Sequence, residues 1–256
     1  MEFTAPDLLA HFYALLWPML RISAMLVAAP IFSLRAINLR IRIVLALSIT
    51  WLVYPLHTWP NLDPLSAGGL LEIGNQIMIG LLMGLMLQVV TAAILVAGQS
   101  IANAIGLSMA TMIDPNMGNV PVISQFLLVL ATLIFVGMGG HAMLISLVVE
   151  SFNSLPVGKS LVTDLGWRQL TVWSSMLFLG ALLTALPVMV ALLLINIGLG
   201  ITTRAAPSLN IFSVGFPAMI FAGFGVLVLA MPSIGARTQW LWLQGFSQVR
   251  TLVGLQ

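Results

Sequence analysis

Hydrophobic positions form long uninterrupted runs in this chain, and charged positions are confined to the gaps between them. Charged side chains are missing from the windows 22–34, 43–62, 73–113, 115–149, 169–203 and 205–236. A bilayer core of about 30 Å takes about 20 helical residues, so the pattern predicts about six spanning helices or a few more. The longest windows exceed one perpendicular span, which predicts tilted helices that run past the membrane edge, or bent hairpins.

Two prolines interrupt these runs. Pro187 stands in the middle of "LLTALPVMVALLL", and Pro217 stands in "VGFPAMIFAGFG" among several glycines. A proline inside a helix removes one backbone hydrogen bond and its ring clashes with the preceding turn, which usually kinks the helix. The sequence therefore predicts broken helices at both places.

Composition agrees with a membrane protein and excludes several classes of chemistry. The chain is 60% hydrophobic and 6% charged, with a mean hydropathy of +1.11, which predicts an all-α polytopic membrane protein. The absence of cysteine excludes disulfides, thiolate catalysis, Cys-ligated zinc and iron–sulfur clusters. Nine basic and seven acidic side chains are too few for a nucleic-acid surface. Glu2, Asp7 and Arg21 are unlike a cleaved signal, so we expect the first apolar run to remain as a helix.

Basic residues give only one strong indication of topology. Arg35, Arg40 and Arg42 lie between the first two runs, where the positive-inside rule predicts the cytoplasm. The other basic residues mark three successive connections that alternation would place on opposite sides: Lys159 with Arg168, then Arg204, then Arg237 with Arg250. Such an even distribution of basic residues over the two sides of the membrane is expected of a fold in which some hydrophobic segments do not cross the membrane as simple spans.

Candidates for catalysis are few. His11, His57 and His141 are scattered, and none stands at metal-ligand spacing from another ligand type. The sequence has no plausible Ser, His and acid set, no phosphate loop and no strand, Gly-rich turn and helix unit. We predict no enzyme activity and no cofactor.

Charges at the edges of apolar runs carry more weight, because an ionisable group at membrane depth is expensive and is often functional. Arg21, in "WPMLRISAML", is the deepest, and Glu72, Asp114 and Glu150 flank long windows. A coupled ion transporter usually places an acid near the middle of a span, whereas these three acids lie at ends. Arg21 therefore has two interpretations: a role in ion transport, or the favoured structural pairing with a buried carboxylate or a helix C-terminus.

Small and polar residues indicate contact with other protein. Gly80 and Gly84 form a G-x-x-x-G spacing, one of several notches that allow close helix approach in lipid. Polar side chains on the apolar runs are costly against lipid and comfortable against protein or water: Asn75, Gln76, Gln88, Gln99, Asn103, Gln125 and Asn196. We expect partner proteins to cover much of the surface.

Four segments in the right order resemble one family. They are "WPMLRISAMLVAAPIFS", "GLSMATMIDPN", "GHAMLISLVVESFNSLPVG" and "TRAAPSLNIFSVGFP". Together they identify the chain as a member of the FliR family, the flagellar export-gate proteins whose virulence-secretion counterpart is called SctT. The "VGFP" ending resembles the flagellar branch more closely.

The resemblance implies a place in an assembly. FliR-like proteins form a cone-shaped, helically arranged gate in the bacterial inner membrane with FliP-like and FliQ-like subunits, an FlhB-like protein at the base, and unfolded flagellar export substrates passing through. It also implies a FliP-like portion at 1–160 followed by a FliQ-like helical hairpin and C-terminal helix at 161–256. The division would fall near Pro156 to Arg168, where a connection carries charges of both signs.

In the family, the loop at 106–121 plugs the closed pore. The residues matching this role are Gly106, Leu107, Met109, Met112, Ile113, Asp114, Pro115, Met117 and Gly118. The physics agrees, because methionine adapts to irregular gaps, glycine permits hinge conformations and Asp-Pro favours a turn. An apolar constriction of this kind blocks ions by dewetting. Without the resemblance, the methionines would be interpreted as residues that only fill space between packed helices.

Other positions are predicted to serve structure and assembly. They are Arg21, Glu72, Gln99, His141, Arg204, Pro207, Asn210, Phe212, Gly215, Phe216 and Pro217. The chain departs from the family pattern at Gly139, where an Asn is usual, and at Gln99, where many relatives have Glu. A proton-carrying role at that position is thereby weakened. The alternatives from other classes are a small-molecule or ion-coupled secondary transporter, and a scaffold that only nucleates assembly.

Overall fold

The chain is helical throughout the part that the structure, a computed structural model, describes: residues 5–32, 38–107, 122–158, 164–205 and 215–255. No strand occurs in these ranges, which confirms the all-α class. The helices are α1 (Ala5–Ala28), α2 (Leu39–Val53) followed by a 3-10 helix (Tyr54–Leu56), α3 (Ala67–Ile105), α4 (Val122–Gly137), α5 (Gly140–Ser154), α6 (Asp164–Ser174), α7 (Met176–Ala205) and α8 (Phe216–Leu252).

The helices confirm the prediction of a polytopic membrane protein. Within the described ranges, five helical stretches are long and apolar enough to cross a membrane, or six if α4 and α5 count as one broken span. The sequence-based prediction of about six spans agrees with the upper figure. The helices differ widely in length, from the 11 residues of α6 to the 39 of α3.

The prediction of a broken helix is wrong at Pro187, whereas the last apolar window does not form one described helix, because α7 ends at Ala205 and α8 begins at Phe216. Helix α7 runs through Pro187 without interruption. Pro217 lies in the first turn of α8, where its missing N–H has no intrahelical partner to lose. An apolar surrounding offers the backbone no other hydrogen-bond partners, so α7 keeps its helix despite one missing bond. The interruption lies instead at Gly139, between α4 and α5, with φ of +72°.

The described residues cluster into two compact units, each made of separate chain segments. One comprises Met1–Val89, Gly139–Ser174 and Gln244–Gln256, and the other comprises Val90–Met138 and Ser175–Leu243. This clustering reports spatial contact and not relationship to other proteins. The division into a FliP-like portion and a FliQ-like hairpin therefore stays a prediction.

The core of the first unit is built around α1 and the first part of α3. Trp17, Met25 and Met86 are fully buried. Trp173 of α6 also lies in this core, where its Nε1 donates to the Met86 carbonyl oxygen at 2.8 Å. The indole thus buries apolar area without leaving its N–H unpaired.

The core of the second unit joins α4 to α8. The Phe135 and Trp242 rings meet edge to face with centroids 4.7 Å apart. Trp242 Nε1 donates to the Ala131 carbonyl oxygen at 3.1 Å. Glycine permits close approach elsewhere in this unit, since a Cβ at Gly180 would lie 2.8 Å from Leu241 Cδ2. Small residues and buried aromatics together set the helix spacing.

Candidate functional site

Arg21 is the centre of a buried polar cluster in the first unit. It lies on α1 and is fully buried. Its Nε donates to Gln76 Oε1 at 2.7 Å, and its Nη1 donates to both the carbonyl oxygen and the Oγ of Ser151 at 2.9 Å. Its Nη2 donates to the Leu155 carbonyl oxygen at 2.7 Å. The guanidinium carbon also lies 4.2 Å from the centroid of the Phe152 ring, a cation–π distance.

Two of these acceptors are carbonyls at the end of a helix. Helix α5 ends at Ser154, so Ser151 lies in its last turn and Leu155 is its C-cap. Helix C-termini expose carbonyls without intrahelical donors and carry partial negative charge. Arg21 therefore caps α5 from α1, which is the helix C-terminus pairing that the structural interpretation expects.

A carboxylate completes the cluster through an amide. Gln76 accepts from Arg21 and donates through Nε2 to Glu72 Oε1 at 2.5 Å. Asn75 Nδ2 lies 3.4 Å from the same oxygen. Glu72 is 5% exposed, and its charge interacts favourably with the guanidinium. The cluster links α1, α3 and α5, and its hydrogen bonds hold the guanidinium in one orientation.

The G-x-x-x-G spacing lies where α3 crosses α1, beside this cluster. A Cβ at Gly80 would meet the Arg21 carbonyl oxygen and would lie 2.9 Å from Ala24 Cβ. A Cβ at Gly84 would meet Ala28 Cβ and lie 2.8 Å from the Ala29 nitrogen. The two glycines bring the backbones close enough for Gln76, one turn earlier, to reach the guanidinium.

The loop predicted to plug the pore begins at a well-defined helix end in the second unit. Gly106 has φ of +93°, and its N–H donates to the Asn103 carbonyl oxygen at 3.0 Å. Leu107 N–H donates to the Ala102 carbonyl oxygen at 3.1 Å. This pair of bonds is a Schellman motif, in which glycine takes the left-handed position after the helix. It stops α3 at Ile105.

The connection that follows is longer than the two helices need. A Cβ at Gly98 on α3 would lie 2.9 Å from Ser124 Oγ, so the first turn of α4 packs beside α3 two turns before its end. Antiparallel helices so close are usually joined by about 2–8 residues, whereas this connection occupies 106–121.

Two polar side chains of α3 lie close to the end of this helix at Ile105. Gln99 and Asn103, one turn apart, are both exposed in this chain. A bare amide side chain is costly in hydrocarbon, so this stripe belongs against water or protein.

The remaining predicted assembly residues lie at helix ends. His141 is exposed in the first turn of α5, and Arg204 is exposed in the last turn of α7, where a cation interacts favourably with the helix dipole. Gly215 is half-buried just before α8, and Pro217 is exposed.

Part of the predicted site lies outside the described residues. These positions are Met109, Met112, Ile113, Asp114, Pro115, Met117, Gly118, Pro207, Asn210 and Phe212, together with the side chain of Phe216.

An aromatic cleft in the first unit was not predicted. His57 Nε2 lies 3.1 Å from Asn153 Oδ1, and the rings of Trp59 and Phe152 meet edge to face at 5.3 Å. A cavity of about 390 Å³ lies between these groups and Val157. His57 and Asn153 are far apart in sequence, so no spacing could have paired them. Among the described residues, no three His, Asp or Glu side chains are placed to hold a metal ion.

Comparison with known proteins gives one consistent family. Residues 12–244 match the family model for bacterial export proteins, family 1. The chain is 34% identical over 254 residues to the flagellar biosynthetic protein FliR of Escherichia coli, covering 99% of this chain and 97% of that protein. It is 36% identical over 247 residues to FliR of Pectobacterium carotovorum, covering 96% and 95%. FliR of Bacillus subtilis is 28% identical over 249 residues, covering 95% and 96%.

Proposed function

The chain belongs to the bacterial export proteins, family 1, and we propose that it is a subunit of the gate through which unfolded flagellar proteins cross the bacterial inner membrane. Its full-length relatives make it a component of the flagellar export apparatus. Three finer proposals go beyond membership of this apparatus: that the chain is part of the gate, that it carries the seal, and that it binds particular partners. The structure supports them as follows.

The exposed face of α7 is the observation that carries the gate assignment. Helix α7 has 30 residues, so it is roughly 45 Å long at 1.5 Å per residue. At a typical tilt of about 20° a helix has only about 32 Å within hydrocarbon. Apolar side chains stand exposed near both ends of α7, since Phe178 is 73% and Ile201 is 64% exposed. This face is longer than one bilayer core and too apolar for water, which supports other protein as part of its cover.

Two further features of α7 favour protein as its cover. Asn196 is exposed well inside the helix, where lipid would leave its amide unpaired. A Cβ at Gly198 or Gly200 would meet nothing within 4 Å, so both notches are open in this chain. Open notches on an apolar helix suit docking of another helix. FliP-like and FliQ-like subunits, with an FlhB-like protein, are the proposed partners.

The rival function is a secondary transporter that works alone. It requires an ionisable group that binds and releases an ion. In the described part of the chain the deepest ionisable pair is Arg21 and Glu72, and their donors and acceptors are engaged with one another and with α5. A group held in this way favours a structural role, and no catalysis is proposed for the chain.

The loop at 106–121 is the proposed seal of the closed gate. Its support is the Schellman motif that directs the chain away from α3, the excess length of the connection, and the polar stripe of Gln99 and Asn103. Its methionines, Met109, Met112 and Met117, provide flexible apolar side chains that close an irregular gap and exclude water. Substrate insertion displaces the loop, and its return restores the ion barrier.

Native mass spectrometry tests the gate assignment. The tagged chain is coexpressed with its neighbouring genes and purified in mild detergent. We expect one heavy species with one copy of this chain and several copies of two other small membrane proteins. Recovery as a monomer or homo-oligomer, with the neighbours expressed but absent, would count against the gate assignment and favour the transporter.

Ion conductance of cells expressing the whole gate tests the seal. Changing Met109, Met112 and Met117 together to Ser keeps the loop length and replaces its three long methionine side chains by small polar ones, whereas changing them to Leu keeps both the length and the large apolar side chains. We expect ion leakage from the Ser variant and from a deletion of 108–118, and none from the Leu variant. Assembled gates with the Ser variant that conduct no more than wild type would refute the seal.

A further inference from the structure

The two sides of α2 and its 3-10 extension have different surroundings. One side is a buried stripe at helical spacing, Ala46, Ile49, Thr50 and Val53, and the helix packs on α1. The opposite side is composed of large apolar side chains that are between 45% and 75% exposed: Leu39, Ile41, Ile43, Val44, Leu47, Trp51, Leu52 and Leu56. We call this opposite side the outer face of α2.

The polar group on the outer face does not need water. Ser48 is exposed, but its hydroxyl donates to the Val44 carbonyl oxygen at 2.8 Å within the helix. Backbone groups in the body of a helix are also paired internally. The outer face between Ile43 and Leu52 therefore presents apolar surface with its polar groups satisfied, as hydrocarbon requires.

The outer face also lacks the features that mark helix docking in this protein. Helix α2 contains no glycine, and its one alanine, Ala46, lies on the buried side. By contrast, close helix contacts elsewhere use glycine, as at Gly80 against α1, and the exposed face of α7 carries open notches. A surface of bulky side chains in which Ser48 is the one small residue suits fluid acyl chains better than a second helix.

The length and the ends of α2 match a bilayer. The candidate span Leu39–Leu56 has 18 residues, with Arg40 and Arg42 in its first turn, and is roughly 27 Å long against a hydrocarbon core of about 30 Å. The exposed Arg40 lies at one end, where a guanidinium can reach anionic phosphate groups. Tyr54 and Trp59 lie at the other end, where amphipathic rings favour the headgroup region. Helix α3, at roughly 58 Å, cannot match a bilayer in this way.

We propose that the outer face of α2 is the surface on which the assembled protein contacts phospholipid, with acyl chains along Ile43 to Leu52 and phosphate groups at Arg40. The inference rests on the proposed function only where it assigns the exposed face of α7 to other subunits. It divides the apolar surface of the chain into a part covered by lipid and a part covered by protein.

Spin-label accessibility in the whole assembly tests this division. The chain has no cysteine, so one introduced cysteine carries the only label on it. Leu47→Cys reports the outer face, Ile49→Cys is the matched control on the buried side of the same helix, and Leu194→Cys reports the exposed face of α7. The assembly, with its partner subunits free of cysteine, is placed in phosphatidylethanolamine and phosphatidylglycerol vesicles. Collision rates with oxygen and with a water-soluble nickel chelate are then measured.

Each surrounding has its own signature, because oxygen concentrates in hydrocarbon and the chelate stays in water. We expect the label at 47 to collide with oxygen several-fold more often than the label at 49, and to be shielded from the chelate. Val44→Cys is measured alongside, so that failure of one variant to assemble still leaves a result. Low rates with both reagents at 47 and 44 would mean a protein cover, and high chelate rates would mean water. Either result overturns the proposal.

The label at 194 separates this inference from the proposed function. We expect it to be shielded from both reagents in the assembly. High oxygen rates at both 47 and 194 would leave the lipid contact of α2 standing and would refute the protein cover of α7.

Discussion

Removal of the Arg21 side chain is the sharpest perturbation of the fold. Arg21→Met retains a long apolar side chain of similar reach and deletes the charge and the donors. The Leu155 carbonyl then loses its Arg21 donor, and the buried Glu72 carboxylate loses its cation. We expect a large loss of stability, because burial prevents water from replacing these partners.

The magnitude follows from the contacts. Removing Arg21 leaves the Leu155 carbonyl without its donor, which costs about 1–3 kcal/mol for a buried acceptor, and it leaves uncompensated the charge of Glu72, which Gln76 links to the guanidinium. Changing Glu72→Gln in the same chain removes that charge. The double variant should therefore be more stable than the sum of the two single changes predicts, with a coupling free energy of about 0.5–3 kcal/mol. Arg21→Lys keeps the charge but loses the planar fork, so it should fall between wild type and Arg21→Met.

Tryptophan fluorescence during titration with sodium dodecyl sulfate measures these free energies of unfolding. The variants are purified with their coexpressed partners in mild detergent. Arg237→Met is the matched control, since Arg237 is exposed on α8, and it should change the free energy of unfolding by no more than about 0.5 kcal/mol. An Arg21→Met variant as stable as the control, or a double variant without coupling, would refute the capping role of Arg21.

Three further changes test other parts of the structure in the same titration. Gly80→Ala should destabilise by about 1–3 kcal/mol because its methyl group meets the α1 backbone, whereas Gly74→Ala, in open space, should be neutral or stabilising by up to about 1 kcal/mol; equal effects would refute the crossing. Gly106→Ala should cost about 1–2 kcal/mol at φ of +93°, and no cost would mean that α3 ends differently. Trp242→Phe should lose about 0.5–1.5 kcal/mol with its bond to Ala131, and an unchanged midpoint would contradict that contact.

Local patterns predicted more of the fold than of the site. The long charge-free runs predicted an all-α membrane protein because hydrocarbon forces the backbone to satisfy itself within helices. The prediction at Pro187 was wrong because it took a missing backbone hydrogen bond as a break in the helix. In α7 the backbone has no other hydrogen-bonding partner, so the helix continues through the proline. The predicted assembly residues near Pro217 and the plug methionines stay predictions, since their support is a family resemblance.

The sequence by itself determined the class of the protein, the family and the close crossing at Gly80 and Gly84, because apolar runs, motif order and glycine spacing are local properties. Only the tertiary structure decided what Arg21 pairs with. Ser151 and Leu155 are more than a hundred residues away, and nothing in their own segment marks them as acceptors. The structure likewise decided which side of α2 is left open, because large apolar residues occur on both sides of that helix. Contacts between distant segments depend on how helices pack, and no single stretch of the sequence specifies that packing.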